Sequence, residues 1–182
     1  MKNVELISPR TGHPDIDQQH HHLEGLILRF NQLCNTPASE SCAPGNCTSE
    51  ARDTCLAGLE SLIGDLLCFL IDHFQYEEKL MRLLPDTPVC RQHIDAHTFA
   101  HAELSARLSE LTLKLDQENP RECAKRLQTI LTSWMGGHAE VFDIALANSL
   151  EEASNAELRY DIELVELIRN TPTEHAAPTQ KP

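Results

Sequence analysis

The sequence is poor in aromatic and basic residues, and it has almost no strand signal. Aromatic side chains make up 4% of the 182 residues, and no window alternates between apolar and polar for long. That excludes a sandwich or barrel, whose strands need aromatic and β-branched residues with period two. Lys and Arg number 15 against 28 Asp and Glu, a formal charge of -13. So acidic a chain repels phosphate backbones and anionic lipid heads, and nucleic acid is not an expected partner.

Long uninterrupted apolar runs are missing too. The most apolar window, "CLAGLESLIGDLLCFLIDHF", is broken by Glu60, Asp65 and Asp72, so it reads as a buried amphipathic helix rather than a membrane span. The opening "MKNVELISPR" lacks the apolar core of a secretion signal, which leads to the expectation of a cytoplasmic protein with no membrane association. Seven cysteines occur without CxxC spacing, so no zinc or dithiol motif is present. Most should be thiols in a reducing compartment, with Cys42 and Cys47 in a loop-like stretch where a disulfide could close.

What is there is helix. The first helix is expected from about Asp15 to Cys34, ended by "NTPASESCAPGNCTS". A second runs from a Ser49 cap to about Leu84, and a third from about Cys90 to Gln117. Asn119 caps a fourth, with Pro120 at its first position, that carries "WMGGH" to about Asn148. A separate fifth helix is signalled by the capping-box spacing of Ser154 and Glu157. The expected fold is therefore all-α. It is an up-down-up-down four-helix bundle over residues 1–148, with an additional C-terminal helix over 149–170 and a disordered tail over 171–182.

Histidines are plentiful, and helical geometry ranks them. Each residue advances about 100°, which puts His20 at the edge of the stripe formed by Ile16, Leu23, Ile27 and Phe30, with His21 and His22 off it. On the second helix His73 and Glu77 lie one turn apart within the stripe of Leu59, Ile63, Leu66 and Leu70. A carboxylate in a core must be paired or metal-bound, so Glu77 is the more informative of the two. The third helix brings His93, His97 and His101 at successive four-residue steps on the face of Leu104, Leu108 and Leu111. The fourth supplies His138 and Asp143, whose spacing sets them roughly 140° apart on an ideal helix. To share a site they need a local irregularity or different metal ions. Imidazoles with a minority of carboxylates suit iron, zinc or copper, and two carboxylates able to bridge suggest two ions.

These residues resemble the hemerythrin family of non-haem di-iron oxygen binders. The matching motifs are "IDQQHHHL", "HFQYEEKLM", the HxxxH within "HIDAH", and "WMGGHAEVFD", in the family's order. The resemblance implies that His93, His97 and His138 hold one iron and His20 and His73 the other, with Glu77 and Asp143 bridging. It also implies oxo- or hydroxo-bridged ions passing between ferrous and ferric, with O2 as the ligand at the open position of the two-histidine iron. His101 is the alternative to His93. The preference for His93 follows from a proline five residues before the family's first such histidine, as Pro88 stands to His93, which leaves His101 beside the ligands.

The chain departs from the family in lacking a tryptophan near the N-terminus and in having Ala139 in place of a larger aliphatic residue after the ligand histidine. With Met135 one turn earlier, the ligand pocket is expected to be roomier and autoxidation faster. Longer spacings from His20 to His73 and from His97 to His138 imply helices extended by roughly two turns at one end.

Three functions follow as expectations. The first is reversible O2 binding for storage, delivery or scavenging. The second is oxygen or redox sensing through a protein partner or self-association at residues 154–169. The third, less expected, is a di-iron peroxidase or oxidase, or a nitric-oxide or iron-handling protein.

Overall fold

The computed structural model describes residues 9–35, 49–115 and 119–170. Cys42, Cys47 and the tail over 171–182 lie outside them. Four long helices are present, with no strand among the described residues. They are α1 (Pro14–Asn35), α2 (Ser49–Met81), α3 (Pro88–Thr112) and a fourth made of α4 (Pro120–His138), a π-helical turn (Ala139–Asp143) and α5 (Ile144–Asn170). Helix α1 packs on α2 and α4, and α3 packs on the same two.

Each start has a local cause. Before α1, the Thr11 backbone N–H and hydroxyl both donate to Asp17 Oδ1, at 2.7 and 2.9 Å, and Thr11 Oγ1 accepts from the His13 N–H at 3.1 Å. Gly12 makes this fold-back with a φ of 86°, a conformation that favours glycine. The Thr87 side chain accepts from the Cys90 N–H, and Asn119 from the Arg121 N–H, each followed by proline at the first helical position. Tight turns close α2 and α3 about a turn before the expected Leu84 and Gln117, with Leu84 N–H bonded to Met81 O and Leu115 N–H to Thr112 O.

The expected separate fifth helix is corrected. Residues 144–170 are one helix, continuous through the π turn with α4, and Ser154 and Glu157 lie inside it. Leu146 is fully buried and Ala147 nearly so, and the helix runs on past them through the expected break.

The apolar core comes in two parts. The larger joins Leu23, Ile27, Phe30, Leu59, Leu66, Leu104 and Leu131 among others, and the smaller joins Ile16, Met81 and Leu146. Helix α2 is long and apolar enough by composition to cross a membrane, but its apolar face is turned into the larger cluster. Fully burying such a side chain contributes roughly 1.5–3 kcal/mol. Between the two clusters in the order of the helices lie the only buried histidines and carboxylates among the described residues: His20, His73, Glu77, His97, His101, His138 and Asp143.

Candidate metal centre

Every helix turns part of this polar layer inward. Helix α1 supplies His20, α2 supplies His73 and Glu77, α3 supplies His97 and His101, and the fourth helix supplies His138 and Asp143. His138 Nε2 lies 2.9 Å from His97 Nε2 and 3.1 Å from His101 Nε2. Glu77, His97, His101 and His138 each offer one ligand atom within 4.8 Å of the others, and so do His20, His73 and Glu77. Glu77 therefore belongs to both groups.

The carboxylates divide their oxygens between the groups. Glu77 Oε1 is 3.5 Å from His73 Nε2, while Glu77 Oε2 is 3.0 Å from His101 Nε2 and 3.5 Å from His97 Nε2. Asp143 Oδ2 is 3.0 Å from His20 Nε2, while Asp143 Oδ1 is 3.2 Å from both His97 Nε2 and His138 Nε2. One side thus has three imidazoles and the other has two.

The π turn resolves the spacing of His138 and Asp143. The Ile144 N–H donates to Ala139 O, five residues back rather than four. The wider turn brings a residue and the fifth after it close to one face.

Electrostatics fit the same picture. Burial works to raise the Glu77 pKa, but the imidazoles of His101, His138 and His97 hold it far below the carboxylate range. Asp143 is likewise raised by burial and lowered further by His138, His20 and His97. Burial pushes His73 down to about 4, against the pull of Glu77 and Asp143. Two ionised carboxylates thus sit in a dry core. None of their four oxygens has a hydrogen-bond partner of proper geometry, an arrangement that is costly without a cation. His73 Nε2 is in the same position, while Nε2 of His97 and of His101 converge on that of His138. A dication at each focus satisfies both sets, so the residues fit a metal pair.

Scarce as they are, the aromatics gather here. Phe74 stacks on His101 with ring centroids 3.9 Å apart, Trp134 on His138 at 4.2 Å, Phe142 on His97 at 5.1 Å and Phe69 on His73 at 5.7 Å. The sequence carries a signal for two of these, since Phe69 and Trp134 each precede their histidine by four residues. Gln19, which faces His73 Nδ1 at 2.8 Å, was not singled out from the sequence.

Of the residues expected at the site, His20, His73, Glu77, His97, His138 and Asp143 come together. His93 does not. Its ring sits one turn along α3 from His97, half-buried, with centroids 5.3 Å apart and Phe142 beside it at 6.2 Å. His101, 3% exposed, takes the place expected for His93. The physical reason is the level of the carboxylates, since Glu77 Oε2 lies opposite the turn of α3 that carries His97 and His101. Met135 and Ala139, expected in the ligand pocket, are both buried.

A helical bundle with a buried cation-binding layer of imidazoles and shared carboxylates is the class that fold and site define. Residues 11–143 match the family described as Hemerythrin HHE cation binding domain, and the chain belongs to that family. Comparison with curated proteins and with solved structures gives no significant match.

Proposed function

We propose that the protein holds two iron ions and binds O2 reversibly, for oxygen storage, delivery or scavenging. The observation that carries this reading is the division of Glu77 and Asp143, each with one oxygen toward a three-imidazole group and the other toward a two-imidazole group. His97, His101 and His138 with the two carboxylates give five protein ligands to one ion. His20 and His73 with the same carboxylates give four to the other, which leaves it a position for a small ligand.

The donor set supports iron: five imidazoles with two carboxylates and no thiolate suit it. When bound, the iron pair supplies one-electron changes at each ion and an affinity for O2. The protein's own part is to neutralise charge with Glu77 and Asp143, to fix the imidazoles by stacking, and to exclude water with the apolar clusters on either side. A site richer in histidine than in carboxylate suits reversible binding over oxidation of a substrate.

The test is the visible spectrum of the reduced protein under nitrogen and again in air. Colour that appears with O2 and leaves when O2 is removed supports the proposal; immediate, irreversible oxidation moves the function to redox chemistry. One observation favours a second reading as a sensor. Asp143 lies in the turn that leads without a break into α5, so a change at the metals has a rigid path to residues 154–169. Truncation after residue 149 that leaves O2 binding intact but abolishes a partner or dimer contact supports that reading.

A further inference from the structure

The imidazoles of the site differ on their outer side. Nδ1 of His97, His101 and His138 is buried without a hydrogen-bond partner. Nδ1 of His73 lies 2.8 Å from Gln19 Oε1. An amide oxygen only accepts, so the proton of this imidazole sits on Nδ1 and the Nε2 lone pair points inward, toward Glu77 Oε1 at 3.5 Å. Gln19 and His20 are adjacent on α1 and diverge by about 100°. The helix therefore sends His20 into the metal layer and Gln19 across to α2.

The surroundings make this bond stable. Gln19 lines a groove between α1 and α2 with Gln18, His22, Phe69 and Asp72. Water in that groove can satisfy the amide NH2 while the oxygen is held by His73. Phe69 stacks on the His73 ring with planes 12° apart, so the ring is fixed both across its face and in its plane. Both constraints act on the two-imidazole side, where the vacant position lies.

We propose that Gln19 is a positioning residue that fixes His73 as an Nε2 ligand and sets the reduction potential of the metal ion that takes the small ligand. The inference rests on the reading of His20 and His73 as ligands of that ion. A neutral amide orients the ring without adding charge. A carboxylate in its place would draw the Nδ1 proton, strengthen the imidazole as a donor and favour the ferric state.

The experiment compares wild type, Gln19→Leu and Gln19→Glu as iron-loaded proteins. It records metal content, the rate at which each ion is lost to a chelator, and the reduction potentials. Gln19→Leu should release one of two ions about tenfold faster, leave the other unchanged and shift a potential upward. Gln19→Glu should retain both ions and shift the same potential downward. Release rates within twofold of wild type in Gln19→Leu, with unmoved potentials, would overturn the inference. So would shifts of one sign in both variants, the mark of disturbed packing. Wild-type protein that holds fewer than two ions would overturn the metal-pair reading itself, and this inference with it; that count is made before any variant is compared.

Discussion

Asp143 follows His138 by five residues, yet its Oδ1 lies 3.2 Å from His138 Nε2. An α-helix would set the two roughly 140° apart. The π turn removes that angle, and so the second shared carboxylate depends on one added residue in a helical turn.

Deleting Val141, which is exposed, makes Asp143 the fourth residue after His138, so that ordinary α-helical bonding alone should keep the two on one face. We expect metal content near the wild-type value, with helical circular dichroism retained. Loss of half the metal or more in the deletion variant would show that the π turn does more than align Asp143 with His138.

His101→Ala removes one of the three nitrogens that converge with Glu77 and should lower metal content by about one ion per chain. His93→Ala, one turn away, should leave the content near the wild-type value. The reverse result would restore His93 to the place that the sequence pattern gave it.

The metal-free protein should be most stable near pH 6.5. Burial lowers His73 to about 4, and it also lowers His93 and His101. Between pH 6.5 and 4 the unfolded chain therefore binds more protons, and stability falls with pH. For His73 alone the loss is on the order of 3 kcal/mol. His97 and His138 are opposed by burial but raised by Asp143 and Glu77, so their contribution is present below pH 6.5 and is lost as pH rises through their folded values. The contribution of the depressed carboxylates Glu77 and Asp143 is fully present above about pH 4. A urea midpoint that stays flat from pH 6.5 to 4.5 would contradict this assignment.

Leu66, fully buried in the larger cluster, lies seven residues before His73 and so two turns away. Leu66→Ala should cost about 2–5 kcal/mol in chemical denaturation while leaving metal stoichiometry unchanged. A loss of metal with little loss of stability would mean that the cluster and the site are not separate layers.

Much of this was legible from residue order. His73 and Glu77 sit one turn apart on an apolar stripe, and His20 alone among its neighbours points inward, so period and chemistry agree. The prolines and caps at Pro88, Asn119 and Pro120 mark two helix starts. The choice among His93, His97 and His101 was not legible. Steps of four drift only about 40° each, and all three stay near one face. What decides is the height of Glu77 on a different helix, a tertiary fact. The π turn was half legible: the five-residue step from His138 to Asp143 demands an irregularity if the two share a site, but nothing in Ala139 to Asp143 itself says that the helix widens there. Ser154 and Glu157 have the spacing of a cap but lie inside one continuous helix, because a capping-box spacing on exposed residues does not by itself break a helix.

The most direct measurement is a titration of the metal-free protein with ferrous iron under nitrogen, in parallel with Glu77→Ala. The account predicts two ions per chain for the wild type, and a loss that reaches both sites in the variant, because Glu77 faces both imidazole groups. A single ion in the wild type, or a variant that keeps one site at unchanged affinity, would contradict a carboxylate-shared pair.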